Sequence, residues 1–429
     1  MQQLKLRARL LSFACDEHGT VTANECDDGV LVCENGRITE LISAADYVAR
    51  GFVLSECEDL RPCIIFPGFI DTHLHMPQLG IMASYSAQLL DWLERYAFPA
   101  ETAFADSEFA ALQAQQFVER MVASGTTCAQ VFTTVYAHSC EHLFAAAQAK
   151  GMAMVAGKVM MDRNAPQALT QDAQSCANDC EQLLQRWHGK DRLKYALTPR
   201  FAITSSDEQL SLCAELLASY PDALVQTHLS ENHEEIAEVG RLFPQALDYL
   251  DVYQGFGLNT EHATFAHGIH LSPSERERIV DAGAKVAFCP SSNLFLGSGL
   301  LDIAAVPTTN LSIASDVGGG TGLSMLHTCA EGYKVAQLQG KRFHPLQAFY
   351  LITAGNARTL GLEAEVGRLE SGLMADLVVL NPTKPAELAE RFHSCRDLTE
   401  ELFALMMLSD DRSVERCYIA GRLAYGATS

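Results

Sequence analysis

The chain has 429 residues, 48% of them hydrophobic, with 31 basic against 53 acidic side chains and a net charge of -22. That composition supplies a large core and excludes a disordered chain, and the acidity argues against a nucleic-acid partner and for a small neutral substrate. No run approaches the roughly 18 apolar residues that span a bilayer, and MQQLKLRARLLSFACDEHG lacks a small-residue cleavage pattern, so a cytoplasmic protein with no membrane partner is expected. The 14 cysteines form no CxxC and are scattered, which fits free thiols in a reducing compartment. Cys176 and Cys180, four apart in a helical pattern, are expected to serve helix packing.

In chain order, Leu4 to Phe66 offers short strands and turns, LKLRARLLSF and then DDGVLVCENGRITEL, with ENG as the turn. A similar signature returns at GRLESGLMADLVVLNP (Gly367 to Pro382) and VERCYIAGRLAYG (Val414 to Gly426). Between them, apolar β-type runs alternate with helical stretches such as SEFAALQAQQFVERMVASG and SDEQLSLCAELLASY. Eight candidate strands result: Phe69 to His75, Thr126 to Phe132, Ala153 to Met160, Lys194 to Phe201, Ala223 to Ser230, Thr264 to Gly268, Lys285 to Pro290 and Leu311 to Asp316. The pattern predicts an α/β protein: a (β/α)8 TIM-like barrel over 67–367, with a small discontinuous β-sandwich domain built from 1–66 and 368–429.

The first barrel strand, in IIFPGFIDTHLHMPQ, ends in His73 and His75, which share one face of a strand because they are two apart. Strand five ends in His228, strand six in His267 and strand eight in Asp316. Taken singly, each has a structural explanation: a hydrogen-bonded strand end for His228, a turn for His267, a loop cap for Asp316. All five at the catalytic end of a barrel points to a metal site instead, with Zn2+ or Fe2+ lowering the pKa of a bound water from 15.7 to about 7. Glu231 follows His228 by three residues and can shuttle a proton, or serve as the N-terminal acid of the helix beginning SENHEEIAE. Arg200, at the end of strand four, offers planar donors suited to a carbonyl or ring nitrogen, and Phe201 beside it can stack or belong to the core. Gln78 lies three residues past His75, within reach of a base edge or free in a loop. Tyr85 to Glu101 and Ser291 to Gly299 are candidate closing loops.

PGFIDTHLH, QTHLSE, AHG, SDVGGG and the closing ADLVVL together resemble the amidohydrolase superfamily over essentially the whole chain. HLHMPQ, LLDWLERYAFPAE, GKVMMDRNAP, TPRFAITSS, THLSEN and CPSSNLFLGSG are similar to its guanine-deaminating branch. The resemblance implies hydrolysis of guanine to xanthine and ammonia by a homodimer carrying one Zn2+, or Fe2+, per subunit. By carry-over, His73, His75, His228 and Asp316 would bind the metal and His267 would orient the hydroxide. Gln78, Arg200 and Phe201 would hold the purine, beside His228, Glu231 and His267, while Glu231 and Asp316 would move protons. Met76 and Pro77 stand where small residues are expected, and no strand-four lysine is placed to bridge two metals, which favours one. A zinc site of the cytidine-deaminase type is not supported, since the single HxE, His233 to Glu235, has no CxxC partner. Two alternatives stay open: the same barrel acting on cytosine, an adenosine derivative or a triazine, and a non-catalytic scaffold, which the occupied ligand positions oppose.

Overall fold

A computed structural model describes residues 3–85 and 88–427. The barrel strands are Phe69–His75, Thr126–Phe132, Ala153–Gly157, Leu193–Pro199, Leu224–Leu229, Ala263–His267, Lys285–Phe288 and Leu311–Ile313, each hydrogen-bonded to the next in chain order. Phe69–His75 and Thr126–Phe132 are buried at every position, as strands with helices outside and packed side chains inside must be. The two helices read from their spacing form at Ser107–Ala123, capped by Asp106, and Asp207–Ser219, capped by Ser206.

The first and eighth strands meet through a side chain. Asn356 Nδ2 donates to the carbonyls of Ile70 (2.7 Å) and Ile313 (2.8 Å), and its Oδ1 accepts from Ile313 N at 3.2 Å. Towards the mouth, Asp316 N donates to His73 O at 2.9 Å and His75 N to Val317 O at 2.6 Å, so the barrel is nearly closed.

Five strands are shorter than expected, two of them by three residues. The run Ala153 to Met160 divides at Lys158, and Val159–Met160 pairs separately with Thr198 and Pro199. Lys158 is wholly buried, and its ammonium must find partners under the helix Ala173–Trp187: Gln171 Oε1 at 2.7 Å and Cys176 Sγ at 3.2 Å. Cys176 and Cys180 both lie buried on that helix. The eighth strand stops at Ile313, not Asp316, because Ser315 turns its N–H and hydroxyl onto Asp71 and Asp316 takes a left-handed φ of 50°.

The second sheet draws on both ends of the chain, in the order Arg422–Tyr425, Val414–Ile419, Leu377–Leu380, Glu58–Pro67, Gln3–Cys15, Val21–Glu34, Arg37–Ser43. Its ENG turn has positive φ at Asn35 and Gly36, the geometry that a tight hairpin of this twist needs. The central strand Glu58–Pro67 passes through Gly68 straight into the first barrel strand. A Cβ on Gly68 would lie 2.1 Å from Thr127 Oγ1, so only glycine makes that crossing. Phe349 packs its ring 5.6 Å from Phe13 and 5.3 Å from Phe66, joining this sheet to the barrel's core.

Candidate active site

The strand-end residues converge. His73 Nε2 and His75 Nε2 each lie 3.3 Å from Asp316 Oδ1, and His75 Nε2 stands 3.2 Å from His228 Nε2. His228 Nδ1 can only donate to the Arg200 carbonyl at 2.6 Å, which leaves its Nε2 with a bare lone pair aimed at the cluster. His73 Nε2 is buried and has no hydrogen-bond partner among the described residues. Burial pushes all three imidazoles below their ordinary range, His75 to about 3, against the pull of Asp316 on His73 and His75. Burial would raise the Asp316 carboxyl, but His73 and His75 hold it well below the usual carboxylate range. Neutral imidazoles around an ionised carboxylate are the protonation states that a divalent cation requires, and an orphaned buried nitrogen among them is what such a cation would satisfy.

Cys289 also lies near His73, His267 and Asp316. Burial, then the charge of Asp316, raises its thiol well above the ordinary range, and its Sγ donates to Ala287 O at 3.3 Å. Lys194, at the start of strand four, spends its ammonium on Gly361 O at 3.0 Å and bridges nothing in the cluster.

Glu231 does not cap the helix that follows it. That helix, His233–Leu242, is capped by Asn232 with Glu235 in a reciprocal box, and Glu235 Oε2 accepts from the N–H of Glu231 at 2.9 Å. The Glu231 carboxylate is instead buried in the cavity, where Oε1 accepts from Ser298 Oγ at 2.9 Å and Oε2 lies 3.5 Å from His267 Nε2. Burial, then the neighbouring charge of Asp316, pushes its pKa up to about 8. His267 adopts a left-handed φ of 69° at the strand end, combining the turn with a place in the cluster. Its Nδ1 donates to Asn293 Oδ1 at 2.9 Å, which fixes the tautomer and turns Nε2 to Glu231 and, at 3.8 Å, to Asp316 Oδ2.

The same cavity is also walled by Gln78, Arg200, Phe201 and Trp92. Met76 and Pro77 begin a 3-10 turn, Met76–Ile81, that carries Gln78 inward despite their bulk. Arg200 Nη1 lies 2.7 and 2.8 Å from the two carboxylate oxygens of Glu101, and Gln78 Nε2 donates to the same carboxylate at 3.1 Å. Both candidate closing loops border the cavity, the first through Leu89 and Leu93 and the second through Leu296. Residues 86 and 87 of the first loop lie outside the described residues.

Sequence reasoning named none of Glu101, Asn293, Ser298 and Trp92 individually. The signal was present, since LLDWLERYAFPAE and CPSSNLFLGSG contain all four.

The amidohydrolase family model matches residues 64–424 of this chain. The guanine deaminase of Escherichia coli strain K12 is 45% identical over 369 residues, 86% of this chain and 84% of that protein. The solved structure of E. coli guanine deaminase superposes with a TM-score of 0.94 at 39% identity, covering 99% of this chain and 100% of that one. Guanine deaminase from C. acetobutylicum, solved with guanine in its active site, superposes with a TM-score of 0.88 at 28% identity, covering 99% and 100%.

Proposed function

This chain belongs to the amidohydrolase family, and from that premise we propose that it hydrolyses guanine to xanthine and ammonia, a step of guanine catabolism. The observation that carries this reading is the pairing, in one cavity, of the imidazole and carboxylate cluster with a polar wall of Arg200 and Gln78. His73, His75, His228 and Asp316 would hold one Zn2+ per chain; Fe2+ accepts the same ligands, and metal analysis of the purified protein separates the two. When bound, that ion supplies Lewis-acid activation that brings the pKa of a water to about 7.

The chain's own residues do the rest. Arg200 and Gln78 bind the polar edge of the purine and Phe201 packs beside it, setting the amino-bearing carbon before the attacking water. His267 Nε2 orients that water, and Glu231 takes its proton as the oxygen bonds to carbon. With a pKa raised to about 8, Glu231 is able to return the proton to the amine, with Asp316 sharing the transfer. The carbon–nitrogen bond then breaks and ammonia leaves. Fourteen unpaired thiols support a cytoplasmic setting for the enzyme; the proposed homodimer rests on family resemblance alone.

The test is purified, metal-analysed protein incubated separately with guanine, cytosine, adenosine and an aminotriazine. Stoichiometric xanthine and ammonia from guanine is the expected result. Turnover of another ring with none of guanine would reassign the substrate, and no turnover of any with metal bound would leave a scaffold.

A further inference from the structure

We infer that Glu101 is a positioning and specificity-determining residue, which locks Arg200 and Gln78 into one donor-presenting unit that selects a purine bearing a ring carbonyl over its amino counterpart. This rests on the guanine reading above and adds to it a residue that never faces the reacting carbon.

Glu101 is wholly buried on the short helix Phe98–Thr102, and Arg200 is 3% exposed. An ion pair this deep is a poor means of stabilising a fold, because desolvating both charges offsets most of their attraction. Its arrangement suits the cavity better. Both Glu101 oxygens sit on a single guanidinium nitrogen, Nη1, and among the described residues Arg200 Nε and Nη2 make no hydrogen bond within the chain. Phe98, from the same helix, lies under the guanidinium with its ring centroid 5.5 Å from the central carbon, which fixes the plane of the fork.

The same carboxylate decides which way Gln78 faces. An amide left to itself can turn end for end, exchanging donor for acceptor. Here Gln78 Nε2 meets Glu101 Oε1, which can only accept, and Gln78 Oε1 meets Gly318 N at 3.3 Å, which can only donate. Glu101 thus neutralises the charge of Arg200, aims its unused N–H groups and removes the choice from Gln78. A ring oxygen opposite those N–H groups is bound, whereas an exocyclic amine in its place sets donor against donor.

The experiment compares wild type, Glu101→Gln and Glu101→Asp with guanine and 2,6-diaminopurine, with bound metal measured in each. Glu101→Gln should raise KM for guanine on the order of tenfold or more and cut the guanine preference in kcat/KM by a similar factor, with metal content unchanged. Glu101→Asp, which keeps an acceptor-only charge, should recover part of both. A Glu101→Gln enzyme with wild-type KM and preference overturns the inference, as does loss of metal in its place. If that variant does not fold, Glu101→Asp decides: raised KM with metal intact supports the assignment, and wild-type values sink it. A wild-type protein that makes no xanthine would instead refute the guanine reading, and that is seen before any variant is measured.

Discussion

Replacing Glu231 with glutamine separates proton transfer from every other task at this site. The amide oxygen can keep the hydrogen bond from Ser298 Oγ, now 2.9 Å long, and the amide nitrogen can donate to His267 Nε2, whose lone pair is free because Nδ1 carries the hydrogen bonded to Asn293. Shape, packing and helix capping are therefore conserved, the cap belonging to Asn232 and Glu235. What disappears is a base whose pKa sits at about 8. Loss of a positioned general base costs roughly 10² to 10⁴ in rate, or about 3 to 5 kcal/mol of transition-state stabilisation. We expect kcat for xanthine formation, followed by ultraviolet absorbance, to fall by that factor with KM, bound metal and melting temperature near wild type. A kcat within about tenfold of wild type would place the variant below the range of general-base catalysis and refute the role given to Glu231.

His73→Ala or His228→Ala should abolish turnover and strip metal to well below one ion per chain by elemental analysis, because each removes a lone pair that nothing adjacent replaces; near-normal metal content would contradict the ligand assignment. Asn356→Ala leaves the buried carbonyls of Ile70 and Ile313 without their donor, and should cost about 2 to 4 kcal/mol in urea unfolding; a change under about 1 kcal/mol would mean the seam is held otherwise. Burial, with the charge of Glu231 second, pushes Glu235 up to about 7 from an ordinary 4.5. Between those values the unfolded chain has released a proton that the folded chain retains, so stability falls as pH rises through the window and levels off above it. Glu235→Gln should remove that part of the slope in melting temperature against pH, worth up to about 3 kcal/mol; an unaltered slope would assign the titration to another group.

The sequence made the imidazole and carboxylate cluster legible because its members obey local rules. His73 and His75 show strand parity, and His228, His267 and Asp316 close apolar runs that the barrel pattern orders. The strand ends were less legible: Lys158 and Ser315 leave their ladders for side-chain partners, Gln171 and Asp71, that no periodicity reports. Glu101, Asn293 and Ser298 escaped assignment for a related reason. Each acts through another side chain, and the partners Arg200, His267 and Glu231 lie far away along the chain. A pattern of buried and exposed positions marks Glu101 as an oddity inside an apolar helix, but only the fold reveals what it holds.

The seam carried by Asn356 bears on how the protein is made. His73 leaves the ribosome early, whereas Asp316 and then the amide that ties the first strand to the last emerge only after most of the chain has been synthesised. A nascent polypeptide halted before that point carries three histidines without their carboxylate and an open row of strand edges. On the proposed reading, metal capture waits for Asp316, and products truncated before it should lack hydrolytic activity and be prone to aggregate.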